Sequence, residues 1–363
     1  MNLGVVFLGS DVATVAEASG RAERAGFASA WTTEFLDRSA TVTLAAMSAA
    51  TRECTIGSAI MYAVGRSPFV LAAEARDLDE ISGGRLILGL GTGTRRMMSG
   101  WHGAEPDAPA VRMEELVPLL RRFWRLHREP IEHQGRFYQV SIQPTAEFRP
   151  PLRERIPVYM AGVNPRMIRA AGTVCDGLVG HPLFTRRYVQ DVVRPAIDDG
   201  RRRSGDASAP FAVAGYVLCA IHEDAAVARR EVKAQIAFYS IVRTYRRILD
   251  LHGWGAAADE MRQAWSRHDA EGMIAAVPEE MVDTLAVAGT PDEAAGRLAA
   301  TCAGEYDHTL LYTPSFGVTP ERFAENVGAI IETFGVSGAG GPPAAGVAAA
   351  GRRMVSSSPA GEL

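Results

Sequence analysis

The stretch "CTIGSAIMYAVGRSPFVLAAEARDLDEISGGRLILGLGTG", residues 54–93, holds one complete structural unit. Residues 54–62 are a short apolar run. Ser67 and Pro68 then open an amphipathic segment to residue 82, with serine suited to cap a helix and proline to its first position. A second apolar run, "RLILGLG", fills 85–91. Two apolar runs joined by a helix predict parallel strands, since only a long crossover can connect them. Their apolar residues are consecutive, not alternating, which predicts strands buried on both faces.

The same unit recurs in both directions. "LGVVFL" (3–8), "FASAWTT" (27–33), "IPVYMAG" (156–162), "DGLVGH" (176–181), "FAVAGYVLCAI" (211–221) and "DHTLLYT" (307–313) are further strands, each followed by a helical pattern. Eight strand–helix units over residues 1–335 close most economically into one (β/α)8 TIM barrel. An open doubly wound sheet is the alternative. Residues 129–155 break the rhythm as an extended, Pro- and aromatic-rich excursion, and 223–280 read as a helical insertion after strand seven. Residues 336–363 are poor in large apolar side chains and are expected to form a disordered tail.

The composition narrows the function. A net charge of −4 among 363 residues gives no electrostatic case for nucleic acid or an anionic membrane surface. No apolar run is long enough to span a bilayer. The N-terminus "MNLGVVFLGSD" reads as a first strand, with no basic region of a signal peptide. Four cysteines at 54, 175, 219 and 302 lie far apart, without metal-ligand spacing, which suggests buried thiols in a reducing cytoplasm. Lys233 is the single lysine; the remaining basic residues are arginine. Any bound anion must therefore meet arginine, backbone amides or helix ends.

Residues 89–94, "GLGTGT", fail the G-x-G-x-x-G spacing at the third glycine and follow the fourth strand, not the first. A phosphate loop of the G-K-[ST] type is excluded because no lysine is present there. In a barrel these residues leave strand four on the face that carries active sites. Gly91, Thr92 and Gly93 would let backbone approach a ligand, and Arg95 could meet an anion.

Several segments together resemble the bacterial luciferase-like oxidoreductases, in order and over most of residues 1–335. They are "AERAGFASAWTTEF" (22–35), residues 56–93, "EHQGRFYQV" (132–140), "IPVYMAGVNPRMIRAAGTVCDGLVGH" (156–181) and "VAGTPDEAAGRL" (287–298). The resemblance implies a (β/α)8 barrel, commonly a homodimer, with a flavin-type coenzyme across its C-terminal mouth. The pattern around "IGSAIMY" looks closer to the branch that uses the deazaflavin coenzyme F420, with FMN as the alternative. The resemblance further implies a non-proline cis peptide at Ala59–Ile60 backing the coenzyme ring, with Met61 beside it. It places the coenzyme's phosphate at Thr92 and Gly93 and at Gly162, Val163 and Asn164, with Met167 on the helix that follows.

Hydride transfer needs a proton partner. Relatives that oxidise alcohols tend to carry an Asp-His-like pair after strand two, where this chain reads Thr33-Glu34. Glu34 could carry a proton if burial against Trp31 and Phe35 raised its pKa. His102 is the second candidate, and Trp31, Tyr62, Trp101, His181 and Tyr216 are candidates for the substrate pocket. The lack of placed lysines argues for a small, non-phosphorylated substrate. Two other readings stay open: an FMN-dependent monooxygenase fed by a separate reductase, and a non-catalytic flavin-binding relative.

Overall fold

Eight strands run parallel and close on themselves: β1 (Leu3–Phe7), β2 (Ser29–Thr32), β3 (Thr55–Ser58), β4 (Leu86–Gly91), β5 (Val158–Ala161), β6 (Gly177–Val179), β7 (Ala212–Ile221) and β8 (His308–Tyr312). Each is hydrogen-bonded to the next, and β8 returns to β1 with Leu3 opposite Thr309, so the sheet is a closed barrel. This computed structural model describes residues 1–336 apart from 145, 146, 148, 206, 207 and 303. The tail expected from 336 onward lies, beyond Val336 itself, outside the described residues.

The two-faced burial read from the apolar runs holds, and β4 is buried at every position. One face packs into the barrel and the other against the surrounding helices. The helix Pro68–Ile81 starts as its sequence predicts: Pro68 occupies the first turn, and Ser67 Oγ accepts from the Val70 N–H at 3.2 Å. The helix Pro109–Phe123 likewise begins on a proline, which supplies a ready first turn.

Three features depart from the sequence reading. The run 54–62 is not one strand: β3 stops at Ser58, and Met61–Tyr62 form a separate short pairing with Leu90 and Gly91 of β4. The excursion 129–155 contains an antiparallel hairpin, Ile131–Gln134 with Gln139–Ile142. Its turn is held by Glu115, which accepts from the N–H groups of Phe137 (3.1 Å) and Tyr138 (2.8 Å) and bonds His133. A further strand, Ala286–Gly289, lies beside the upper half of β7, pairing with Leu218–Ile221. The ten-residue β7 outruns its barrel neighbours, and this strand covers the exposed edge. Between them, the helices Ala225–Ser240, Arg246–Leu251, Gly255–Ser266, Ala270–Ala275 and Glu279–Leu285 form the insertion after the seventh strand.

Candidate active site

At the C-terminal end of β3 the backbone turns out of the barrel wall through a cis peptide at Ala59–Ile60, where the resemblance placed one. Four neighbours fix this bulge. The Ala59 N–H donates to Thr32 O at 2.7 Å, and the Ile60 carbonyl accepts from the Glu34 N–H at 2.8 Å. The Ala59 carbonyl accepts from the Tyr216 hydroxyl. Ser58 Oγ donates to Gly89 O at 2.8 Å and accepts from the Gly89 N–H at 2.9 Å.

That closeness explains the glycines of strand four. A Cβ on Gly89 would overlap the Ser58 carbonyl, and one on Gly91 would stand 2.7 Å from Ile60 Cδ1. Both glycines make room for the bulge. Gly93 has φ +69° and lies beneath the Tyr62 ring, so it alone of the three is required for its turn. Thr92 is buried, its hydroxyl donating to Gly93 O at 3.2 Å. The Met61 side chain is wholly enclosed, so it reaches the site only through its backbone.

Glu34 sits behind the bulge as a bound carboxylate. Arg66 grips it with two bonds, Nη2 to Oε1 at 2.6 Å and Nη1 to Oε2 at 2.8 Å, and the Tyr62 N–H donates to Oε2 at 2.8 Å. Arg66 Nε also meets Glu74 at 2.7 Å. Burial alone would raise the Glu34 pKa, but the Arg66 bonds, the Tyr62 amide and the Arg66 charge together lower it. The condition for an acid role therefore fails: Arg66, not an apolar wall, is the dominant neighbour, and Phe35 is exposed. Arg66 is the residue that sequence reasoning missed, although it stands in "VGRSP" between the bulge and the helix that follows.

His102 ends the helix Arg95–His102 and is half-buried, its ring 4.9 Å from that of Tyr62. Its Nε2 is enclosed with no hydrogen-bond partner among the described residues. Trp101 packs edge-on against Tyr62 and Phe35, at 6.2 and 5.5 Å. Arg95 lies at the surface, 3.2 Å from Asp107, and Thr94 caps its own helix through the Met97 N–H.

The helix Pro165–Val174 presents a different N-terminus. Asn164 stands at the cap position, but its side chain turns away to Thr244 O at 3.4 Å and does not cap the helix. The amides of Val163 and Asn164 have no acceptor among the described residues, while the Val163 carbonyl accepts from the Tyr188 hydroxyl at 2.8 Å. Gly162 packs closely on Met167. These are donors of the kind that hold an anion without lysine.

Across the mouth runs a chain of aromatic contacts. The Tyr245 ring stacks on His181 at 3.9 Å. His181 meets Tyr239 edge-on at 4.8 Å. The Tyr239 hydroxyl donates to that of Tyr312 at 3.2 Å, Tyr312 packs on Tyr216 at 5.4 Å, and Tyr216 returns to the bulge at Ala59. Two predicted residues, His181 and Tyr216, are thereby joined with Tyr239, Tyr245 and Tyr312, while Tyr62 packs with Trp101 and His102. Tyr239 and Tyr245 come from the helical insertion, and only "FYSIVRTY" (238–245) hinted at them. Burial pushes the phenols upward, Tyr245 to about 12, so they stay protonated donors.

Trp31 does not join them. It is fully enclosed in the barrel core, with Nε1 donating to Ser29 Oγ at 2.8 Å and its ring near Tyr159 and His308. His308 begins β8, so this ring faces the lower barrel, beside Gly57, where a Cβ would overlap the indole. A cavity of about 460 Å³ also lies away from the mouth, lined among others by Thr185, Arg187, His252 and Arg297. It shares no residue with the strand-end cluster, and its arginines are engaged: Arg187 with Leu251 O, Arg297 with Asp283.

Residues 6–307 match the family model of luciferase-like monooxygenases. The chain belongs to that family. An uncharacterized protein of Mycobacterium tuberculosis is 34% identical to this luciferase-like chain over 308 residues, 83% of this chain and 90% of that one. The 5,10-methylenetetrahydromethanopterin reductase of Methanopyrus kandleri is 25% identical over 346 residues, 90% of this chain and 97% of its own. The solved coenzyme F420-dependent tetrahydromethanopterin reductase from Methanopyrus kandleri superposes with a TM-score of 0.73 at 21% identity, covering 92% of this chain and 99% of that one. That superposition establishes the luciferase-like barrel. Among the described residues no helix is long and apolar enough to cross a membrane.

Proposed function

We propose that the protein is an oxidoreductase that uses coenzyme F420 to exchange a hydride with a small, non-phosphorylated organic substrate. The observation that carries this is the pairing of the Ala59–Ile60 bulge with the uncapped helix start at Asn164. The first presents backbone at the C-terminal end of β3, where a coenzyme ring would rest; the second offers amides with no acceptor among the described residues, suited to an anionic linker. Gly91, Thr92 and Gly93 line the rim between the wall and the helix Arg95–His102, with Ile60 on the wall and Arg95 beyond. The sequence relationship to a putative coenzyme F420-dependent oxidoreductase of Mycobacterium tuberculosis, 25% identical over 305 residues and 78% of this chain, favours F420 over FMN. When bound, the coenzyme would supply the hydride donor or acceptor.

The chain's own part is positioning and proton handling. Glu34 stays ionised and braces the Tyr62 amide. His102 is the better proton carrier, since its Nε2 has no protein partner among the described residues. Tyr62, Trp101 and Tyr216 would bound a largely uncharged substrate space; the Arg66 guanidinium beside Tyr62 is committed to Glu34 and Glu74. Titrating the purified protein with F420 and with FMN, followed by fluorescence, tests the reading. F420 is expected to bind the tighter; binding of FMN alone overturns it in favour of a monooxygenase with a partner reductase, and binding of neither favours a non-catalytic relative.

Assembly as a homodimer belongs to the same proposal. The helix Ala40–Ala50 has no charged residue, yet Val42 is exposed, and Phe69, Val70 and Ile81 stand exposed on the helix Pro68–Ile81. Exposed apolar patches of this kind mark interaction surfaces. Light scattering is expected to give twice the chain mass, and F69D to reduce it; a monomeric wild type overturns this.

A further inference from the structure

His181 is a half-buried member of the aromatic chain, and its ring is fixed on three sides. It stands two residues beyond β6, and its carbonyl accepts from the Phe184 N–H at 2.8 Å. The Leu183 N–H points at Nδ1, 3.2 Å away. An imidazole nitrogen that accepts from an amide must be the bare one, so the proton resides on Nε2. Nε2 has no protein partner among the described residues, where the only ring bond of His181 is at Nδ1, and the residue is only partly buried. The ring is gripped by Tyr245 stacked at 3.9 Å and Tyr239 edge-on at 4.8 Å. The contacts through Tyr239, Tyr312 and Tyr216 tie it to the Ala59 carbonyl.

We propose that His181 is a fixed, neutral hydrogen-bond donor that selects the oxygen of a carbonyl or hydroxyl substrate held in the mouth. The inference rests on the oxidoreductase reading above and gives its substrate a class. A neutral donor suits an oxygen acceptor and discriminates against cations and against hydrocarbons, which leave a polar group unpaired. Burial lowers the His181 pKa to about 3, so the imidazole stays neutral at ordinary pH. The titratable groups that face it are the Tyr239 and Tyr245 phenols, with Tyr312 and Tyr216 behind them, and all are held protonated.

The test uses full-length protein with 15N-labelled histidine and cyclohexanone as the probe, with methylenecyclohexane as its apolar counterpart. In the free protein the His181 signals should report the Nε2–H tautomer, unchanged from about pH 5 to about pH 8. Cyclohexanone should move the Nε2 resonance and methylenecyclohexane should not. His181→Leu should weaken cyclohexanone binding about tenfold, while His181→Gln, which keeps a donor at the same reach, should stay within about threefold of wild type. A titrating or Nδ1–H histidine overturns the proposal. So does ketone affinity equal in wild type and His181→Leu, or a wild type that fails to bind the ketone. Titrating the same variants with F420 separates the two readings: F420 binding kept with ketone selectivity absent refutes only the His181 role, and F420 binding lost in wild type refutes the coenzyme reading.

Discussion

Replacing Arg66 with methionine tests the bracing of the bulge most directly. Arg66 and Glu34 have side chains only 15% and 11% exposed, joined by two bonds. Removing the cation leaves Glu34 with the Tyr62 N–H as a remaining donor, in surroundings that disfavour its charge. Breaking a buried pair from one side costs about 3–5 kcal/mol. The residual exposure at the barrel rim puts Arg66→Met near the lower end, about 3 kcal/mol. Glu34→Gln keeps shape and one acceptor, and Arg66 still has Glu74 at 2.7 Å, so about 1–2 kcal/mol is expected. With both changes neither charge is stranded at this pair, and the double variant should fall short of the sum by about 1–2 kcal/mol. Urea unfolding of the four proteins at neutral pH measures the cycle, with equal slopes as the check on comparability. The Glu34 pKa is lowered on folding, so its stabilisation is present above its ordinary value near 4.5 and fades as the pH falls through the folded value. The gap between wild type and Glu34→Gln should therefore close in acid. A loss below about 1 kcal/mol for Arg66→Met, or strict additivity, would refute the reasoning.

Three further outcomes follow from packing and charge. Gly89→Ala should destabilise by about 3 kcal/mol or more, since its Cβ would overlap the backbone carbonyl of Ser58, whereas the same change at Gly100, with open space around it, should cost about 1 kcal/mol or less; thermal melts decide. Glu115→Ala should speed hydrogen exchange at the Phe137 and Tyr138 amides by at least about tenfold, because both lose their acceptor; unchanged exchange would count against the pinning of the hairpin turn. Cys54 and Cys219 should resist a thiol reagent in the native protein and react on unfolding, as both are buried and burial raises the Cys54 thiol to about 12; rapid native labelling of either would contradict this.

The apolar runs, the Ser67-Pro68 start and the strand–helix rhythm were enough, read alone, to indicate eight parallel strands, because burial on both faces leaves a local trace in every strand; the choice of a closed barrel over an open sheet is made by the pairing of β8 with β1. The glycines at 89 and 91 were visible too, but their purpose was not. On sequence they resembled a ligand loop; in the fold they admit the backbone of a neighbouring strand at Ser58 and Ile60. The further strand Ala286–Gly289 escaped for a similar reason, since what calls it into the sheet is the length of β7, a segment far away in the chain. Trp31 looked like a pocket residue because a tryptophan near a strand end gives no sign of which way along the barrel its ring leans.

Side-chain chemistry was decided by tertiary contacts. Glu34 has the same local sequence whether it is an acid or an anion, and Arg66, 32 residues away, makes it an anion. His181 has the same ring in solvent or in the mouth; the Leu183 amide and the two insertion tyrosines settle its tautomer and its setting. Periodicity records what each residue buries, and so the sequence determined the strands and helices that the barrel is built from. Charge state and hydrogen-bond direction depend on partners that only folding brings within a few ångströms, and so the site belongs to the tertiary structure.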